Sequence, residues 1–281
     1  YGIILVTRPK RSAKLYENVW TDEGSPLLAI LKRQAAGVQA RLDSRLATPV
    51  LVEIGMSYGE PSVASGLRAL QSAGAQRILV LPLYPQYSTT TTAATFDAVF
   101  AEVQKWRWMP ELRTVNSYYQ DDAYLAALEA TILEKWAAEG RAERLLFSYH
   151  GIPKNYSDRG EPYFCECHHT SMLLAERLGL GEDEWFVTFQ SRFGPIEWLQ
   201  PYTDESLEEW GEAGVVSVDA VCPGFSADCL ETIDEIGREA EESFLENGGQ
   251  QFNYIPALND RPDHLEALAG IVERNIRGWT D

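Results

Sequence analysis

Three carboxylates recur at helical spacing near the end of the chain. Asp228, Glu231 and Glu235 occupy positions i, i+3 and i+7 of a predicted helix that opens at Ser226 or Asp228 and continues over residues 229–246, so their side chains should share one face. His150 directly follows the strand predicted over residues 144–149, which points toward the same region. A neutral imidazole facing carboxylates can accept protons or bind a divalent metal, and this donor set suits a transiently held Fe²⁺. The alternative is a solvated acidic face that the helix dipole favours.

Aromatic and polar residues follow other predicted strands. A run after residues 76–83 contains Tyr84, Gln86, Tyr87 and Ser88. Trp198 follows the strand at 184–190, and Phe225 follows the strand at 214–221. A flat apolar ligand could stack on these two rings at a crevice edge, and packing in the core is the alternative for each.

The elements that must position these residues alternate along the chain. Short apolar and β-branched runs separate longer amphipathic segments, a pattern typical of βαβ units with parallel sheets. The predicted strands are residues 49–55, 76–83, 111–117, 144–149, 184–190, 214–221 and 251–255. The predicted helices are residues 61–73, 91–106, 121–138, 170–178, 204–212, 229–246 and 264–277. Ligands of open α/β sheets collect at the carboxyl ends of the strands, where the candidate residues stand.

Composition narrows the class of protein. The chain has 281 residues, with 24 Lys and Arg against 42 Asp and Glu, giving a formal net charge of −18. That charge repels phosphate backbones, so nucleic acid is excluded as a partner. Apolar stretches are much shorter than the roughly 18 residues of a membrane span, and nothing resembles a signal peptide. We therefore expect a soluble, cytoplasmic chain.

The four cysteines offer a second candidate site. Cys165 and Cys167 form a C-x-C pair before two histidines, in a segment predicted to be a loop. This spacing differs from the C-x₂-C pairs of zinc modules, and no second pair follows at ribbon distance. Cys222 and Cys229 flank a Pro-Gly turn and are interpreted as small buried hydrophobic residues.

Five motifs together resemble the ferrochelatases. They are Gly-Ser-Pro-Leu at 24–27, Leu-Pro-Leu-Tyr-Pro-Gln-Tyr-Ser at 81–88, Ser-Tyr-His-Gly-Ile-Pro at 148–153, Gln-Ser-Arg-Phe-Gly-Pro at 190–195 continuing through 198–203, and Pro-Gly-Phe-Ser-Ala-Asp-Cys-Leu-Glu-Thr at 223–232. The resemblance extends from about residue 11 to the C-terminus, with the motifs in the family's order.

The resemblance implies a fold of two Rossmann-like domains with an active-site cleft between them. The corresponding ranges are residues 1–118 for the first domain, 119–256 for the second, and 257–281 for a C-terminal helix that packs back on the first. Family members often have a widened, π-type turn in the acidic helix. They begin with a further strand and a Gly-rich loop, so the first domain is expected to lack its N-terminal strand here.

The resemblance also implies a function, namely insertion of Fe²⁺ into protoporphyrin IX to give protohaem with release of two protons. His150 and Glu231 correspond to catalytic residues, and His150, Glu231, Asp228 and Glu235 to the metal route. Macrocycle contacts fall on Tyr84, Gln86, Tyr87, Ser88, Trp198 and Phe225. A chelatase for another tetrapyrrole such as coproporphyrin, or a porphyrin carrier without turnover, is the alternative.

Two further expectations follow from the same resemblance. Some relatives hold a [2Fe–2S] cluster on four cysteines, but we expect none here, because the C-x-C pair lies in a predicted loop and relatives without a cluster can also have cysteines there. The family position after Asp228 is often His and is Cys229 here. Independently of the resemblance, a local basic patch at residues 8–11 or at Arg33 could support peripheral membrane contact despite the negative net charge.

Overall fold

The protein forms two parallel β-sheets, which are seen in a computed structural model that describes residues 19–280. The first sheet pairs β1 (Arg77–Val80) with β2 (Glu111–Thr114). The second contains β3 (Arg144–His150), β4 (Trp185–Gln190), β5 (Ser217–Val221) and β6 (Gln251–Ile255) in the order β4-β3-β5-β6. The basic residues at 8–11 lie outside the described part of the chain.

Helices connect these strands and cover the sheets. They are α1 (Pro26–Arg45), α2 (Val63–Ser72), α3 (Ala94–Val103), α4 (Asp122–Glu139), α5 (Lys154–Asp158), α6 (Tyr163–Leu178), α7 (Thr203–Glu212), α8 (Glu241–Glu246) and α9 (Pro262–Asn275). Two π-helices, Thr89–Ala93 and Glu231–Ala240, lead directly into α3 and α8. The class is therefore α/β with parallel sheets, as the sequence predicts.

The second sheet is buried on both faces. Leu146 and Phe147 are adjacent on β3, point to opposite sides and are both 0% exposed, as expected for a parallel strand covered by helices. His150 at the end of β3 is in register with Gln190 at the end of β4. This register places the functional residues of both strands at one edge of the sheet.

The main core joins the two sheets through helices. It combines Val38 and Leu42 of α1 with Phe147 of β3 and Leu268 of α9. Helix α9 packs against both α1 and α4. The wall formed by α1 and α9 is therefore continuous with the core of the second sheet.

The predicted strand at 49–55 is wrong, because this segment forms no strand. A side chain of α1 takes the place of a pairing strand here. The Gln39 side-chain amide donates to the carbonyl of Val50 at 2.7 Å, and its oxygen accepts the Val52 amide proton at 2.8 Å. Alternating apolar residues predict an extended backbone, but a strand also needs a partner strand, and none pairs with this segment among residues 19–280.

Two further predictions need correction. The C-x-C pair lies in helix α6, which begins at Tyr163 and not at residue 170, so the pair is not in a loop. The sequence analysis missed α1, whose buried stripe includes the polar residue Gln34. Gln34 donates to the carbonyls of Ser226 and Asn259 at 2.9 and 3.0 Å, which explains a polar residue at a core position.

Candidate active site

A cavity of about 1230 Å³ opens beside the carboxyl ends of the strands. His150 and Glu231 lie on its wall together with Tyr84, Gln86 and Phe225. A base, a carboxylate and aromatic rings therefore face one space. The same cavity continues as an apolar groove between the 49–57 segment and β1.

The His150 imidazole is oriented by its own strand end. Its Nδ1 lies 2.7 Å from the Gly151 carbonyl oxygen. Because a carbonyl can only accept, Nδ1 carries the proton, and Nε2 of the neutral ring remains available to accept one. The Tyr163 hydroxyl donates to the His150 carbonyl at 2.9 Å and fixes the backbone. His150 therefore has the geometry of a general base.

Glu231 opens the second π-helix rather than a regular α-helix. Its backbone carbonyl accepts the Gln190 side-chain amide at 2.8 Å, which links the helix start to the end of β4. A π-helix has more residues per turn than an α-helix, so residues four apart, such as Glu231 and Glu235, come close to one face. The regular i, i+3, i+7 row predicted from sequence is therefore wrong in its geometry.

Glu235 is held by the turn that follows β4. Its carboxylate accepts the Ser191 amide at 2.6 Å, the Ser191 hydroxyl at 2.5 Å and the Gln190 side-chain amide at 3.2 Å. Burial raises the pKa of Glu235 above its ordinary value of 4.5, although these hydrogen bonds and the charge of His150 act in the opposite direction. Glu235 therefore keeps its proton to a higher pH than a solvated glutamate.

Asp228 lies in the loop before the π-helix and is only 8% exposed. Its carboxylate accepts four hydrogen bonds, from the Thr232 hydroxyl, the Tyr254 hydroxyl, the Ala257 amide and the Asn259 side chain. Three of these donors converge on Oδ1 and one on Oδ2, so hydrogen bonds within the protein hold this carboxylate in place. Asp228 therefore anchors the start of the π-helix to the segment after β6.

The structure divides the predicted macrocycle contacts into two groups. Tyr84, Gln86 and Phe225 line the cavity, whereas Tyr87, Ser88 and Trp198 do not. Ser88 caps the first π-helix by accepting the Thr90 amide. Trp198 is buried and donates its indole N–H to the Phe193 carbonyl at 3.0 Å.

Within residues 19–280, no three His, Cys, Asp or Glu side chains converge into a metal cage. The cysteines do not form one either: Cys167, Cys222 and Cys229 are buried as free thiols, and Cys165 is exposed. Burial raises the pKa of the Cys222 and Cys229 thiols, so both remain protonated.

Sequence reasoning missed the residues that support the site. Gln190 and Ser191 hold Glu235, and the Ser148 hydroxyl donates to the Gln190 side-chain oxygen at 2.8 Å. Gln190 and Ser191 could have been found from the sequence, because Gln190 ends a predicted strand and Ser191 directly follows it. Tyr254 and Asn259 carried no such signal, since only the fold brings them to Asp228.

Among residues 19–280, no helix combines the length and the apolar content needed to cross a bilayer.

Comparison with known proteins places the chain in a family. The family profile described as Ferrochelatase matches residues 1–276. The ferrochelatase of Thioalkalivibrio sulfidiphilus is 59% identical over 100% of this chain and 76% of its own length, and that of Nitrosococcus oceani is 51% identical over the same shares. Among solved structures, SirB from Bacillus subtilis with Fe³⁺ has a TM-score of 0.63 at 17% identity, covering 89% of this chain and 92% of that one, which shows a shared fold. CbiX, described as the terminal enzyme of sirohaem biosynthesis in denitrifying bacteria, has a TM-score of 0.59 at 13% identity, covering 89% of this chain and 94% of that one. With the profile and the relatives both spanning the chain, the protein belongs to the ferrochelatase family.

Proposed function

We propose that His150, Glu231 and Glu235 perform the proton and metal transfers of the ferrochelatase reaction in this protein. The protein is a lyase-type enzyme that inserts Fe²⁺ into protoporphyrin for haem synthesis. The observation that supports His150 and Glu231 is that both line one cavity, and Glu235 is supported by its interaction with the charge of His150. Glu235 lies on the π-helix that Glu231 opens.

Insertion requires two pyrrole N–H bonds to break as the four nitrogens bind the metal. No electron is transferred, and two protons leave the ring. In our proposal, His150 Nε2 accepts one pyrrole proton, because its Nδ1 proton is engaged by the Gly151 carbonyl, and the Glu231 carboxylate on the same cavity wall accepts the other. Carboxylates replace part of the hydration shell of the incoming Fe²⁺, as hard oxygen donors can.

Ring distortion is the second requirement, because a planar porphyrin presents its nitrogens inward and resists metal entry. Tyr84 and Phe225 on the cavity wall provide rigid surfaces against which a buckled ring can be held. The strain has to be offset by binding interactions elsewhere on the macrocycle. We propose Tyr84, Gln86 and Phe225 as the direct contacts. Tyr87 and Ser88 hold the loop that carries Tyr84 and Gln86 through bonds to Glu166 and Glu161, and Trp198 lies against Gly151 next to His150.

Asp228 has a different role in this proposal. Since four protein donors occupy its carboxylate, we assign it to positioning of Glu231 rather than to metal contact. The metal route then consists of His150, Glu231 and Glu235.

An anaerobic absorbance assay with protoporphyrin IX and Fe²⁺ tests the proposal. His150→Ala and Glu231→Gln should each reduce kcat by at least about 100-fold, the usual contribution of a general acid or base, and should leave porphyrin binding largely intact. Glu246→Gln provides a matched control, since Glu246 is an exposed carboxylate at the end of α8, which continues from the same π-helix. Metal insertion at the parent rate by both site variants would contradict the assignment.

Three finer proposals concern the whole protein. We propose a cytoplasmic enzyme with peripheral membrane contact, which vesicle flotation tests directly. We also propose that it holds no [2Fe–2S] cluster, which iron and sulfide analysis of the purified protein would decide. The domain ranges 1–118, 119–256 and 257–281 stay a prediction that limited proteolysis can test.

A further inference from the structure

Two carboxylates outside the cavity wall hold the loop that carries Tyr84 and Gln86. Glu161 precedes helix α6. It accepts the Ser88 hydroxyl at 2.6 Å, the Thr89 amide at 3.1 Å and the Thr89 hydroxyl at 2.5 Å. Glu166 in the first turn of α6 accepts the Tyr87 amide at 2.7 Å. Three successive residues of the first sheet's loop are thus bonded to a segment attached to the second sheet.

The same segment also touches the opposite wall of the cavity. Tyr163, between the two carboxylates, donates its hydroxyl to the carbonyl of His150 at 2.9 Å. Residues 161–166 therefore contact the loop beside Tyr84 on one side and the end of β3 on the other. We call this segment the clamp.

The carboxylates of the clamp form strong hydrogen bonds with the loop at residues 87–89. Thr89 begins a continuous helix formed by the first π-helix and α3, whose first amides need acceptors from outside the helix. The negative charge of Glu161 lies at this positive helix end, and hydrogen bonds to a carboxylate are stronger than those between neutral groups. Burial raises the pKa of Glu166 above 4.5, although the Tyr87 amide acts in the opposite direction. Gln86 adds a further bond, donating to the Thr170 hydroxyl of α6 at 2.9 Å.

We propose that Glu161 and Glu166 are positioning residues for the porphyrin. They fix the loop of Tyr84 and Gln86 at a set distance from His150, and so set the width of the space that receives the macrocycle. This inference rests on the proposed function, because it takes that cavity as the porphyrin site.

The test compares Glu161→Ala, Glu161→Gln and Glu166→Gln with a matched control, Glu176→Ala. Glu176 is an exposed acidic residue of the same helix. Glu161→Ala should raise the KM for protoporphyrin about tenfold, since hydrogen bonds to a charged group are lost. Glu161→Gln should give a smaller rise, because its amide oxygen can still accept the Thr89 amide. The KM for Fe²⁺ should not change in these variants. The control Glu176→Ala should keep the parent KM for both substrates.

Two binding readouts separate this inference from the proposed function. Porphyrin affinity is measured by fluorescence titration in the His150→Ala background, so it does not depend on the role of His150 in turnover. Hydrogen exchange of residues 84–94 reports whether the loop is released. If His150→Ala retains turnover, the proposed function fails, while the titration still tests the clamp.

Faster exchange together with weaker porphyrin binding supports the inference. Unchanged porphyrin affinity overturns it, whether or not exchange increases. An equal rise in the KM values for porphyrin and Fe²⁺ also overturns it, because that pattern indicates general damage. If Glu161→Ala does not fold, the two Gln variants decide the question by the same criteria.

Discussion

Ser191 has an uncommon backbone for a residue with a side chain, since its φ of 63° lies in the left-handed region. This conformation points both its amide and its hydroxyl at Glu235, at 2.6 and 2.5 Å. A non-glycine residue in this region costs roughly 1–2 kcal/mol. The strain is therefore associated with a functional contact.

Two substitutions separate strain from contact at this residue. Ser191→Ala and Ser191→Gly both remove the hydroxyl, so both should lower kcat to a similar degree, about tenfold. Only Gly relieves the backbone, and Ser191→Gly should therefore be about 1 kcal/mol more stable than Ser191→Ala. Urea unfolding and steady-state kinetics measure the two effects. Equal stability of the variants would show that the backbone at this residue is not strained.

Burial of Glu235 makes stability depend on pH. Its folded-state pKa is raised above 4.5, so the folded protein binds more protons than the unfolded chain between the ordinary and the raised pKa. Stability contributed by this group is complete below the ordinary pKa and is lost as the pH rises through the raised one. Glu235→Gln cannot lose a proton. Its melting temperature relative to the parent should therefore increase with pH across this window in thermal unfolding, and a constant difference would contradict the raised pKa.

The segment before the second π-helix is the first feature at the scale of an element. Asp228 ties it to Thr232 inside the helix and to Tyr254 of β6. Asp228→Asn would place an amide donor against the Asn259 amide that now donates to it at 2.7 Å. A buried donor left without an acceptor costs about 1–3 kcal/mol, and we expect a loss in that range.

Urea unfolding of Asp228→Asn distinguishes an anchor from a metal ligand. An anchor role predicts lower stability together with reduced turnover, because Glu231 is displaced. A purely metal-binding role would instead leave stability unchanged and weaken only the response to Fe²⁺.

Elements with a complete local signal could be predicted from sequence. Strands β3 and β6 match their predicted ranges to within one residue, because each is a short apolar run that ends at turn residues. The strand predicted at 49–55 was wrong because strand formation requires a neighbouring strand, which the alternation of apolar residues does not reveal. The position of the acidic helix was predicted from its residues, whereas its π-type turn was expected only from the family resemblance, because residue spacing alone does not distinguish α from π turns.

The residues of the candidate site also divide into those that could be predicted from sequence and those that could not. His150, Tyr84 and Phe225 could be predicted because they end or follow strands whose carboxyl ends meet at the cavity, and Glu231 because of the carboxylate spacing in its helix. Glu161 and Glu166 could not, since acidic residues near a helix start are common and only the fold shows that they reach the loop of Tyr87. Sequence patterns thus indicated residues that line the cavity better than those that support it.

At the scale of the whole molecule, helix α9 connects the parts that form the cavity. It packs on α1 and α4, and its residue His264 is 0% exposed. The His264 Nδ1 donates to the Asn259 carbonyl at 2.7 Å, and its Nε2 lies 3.3 Å from the hydroxyl of Ser226, next to Phe225. A buried neutral histidine therefore supports the loop of a proposed porphyrin contact.

Because of His264, the free energy of unfolding should depend on pH in the acidic range. Burial lowers its pKa below 6.5, although the Asn259 carbonyl and Asp263 act in the opposite direction. The unfolded chain then binds the proton first, so the contribution of His264 to stability is present above pH 6.5 and is lost as the pH falls through the lowered pKa. His264→Gln should be less stable than the parent at pH 7, and the difference should shrink as the pH falls below 6.5. Urea unfolding from pH 7 to pH 5 measures this, with His169→Gln as the control on α6. If the difference in unfolding free energy between His264→Gln and the parent stays constant over this range, protonation of His264 does not destabilise the packing of α9.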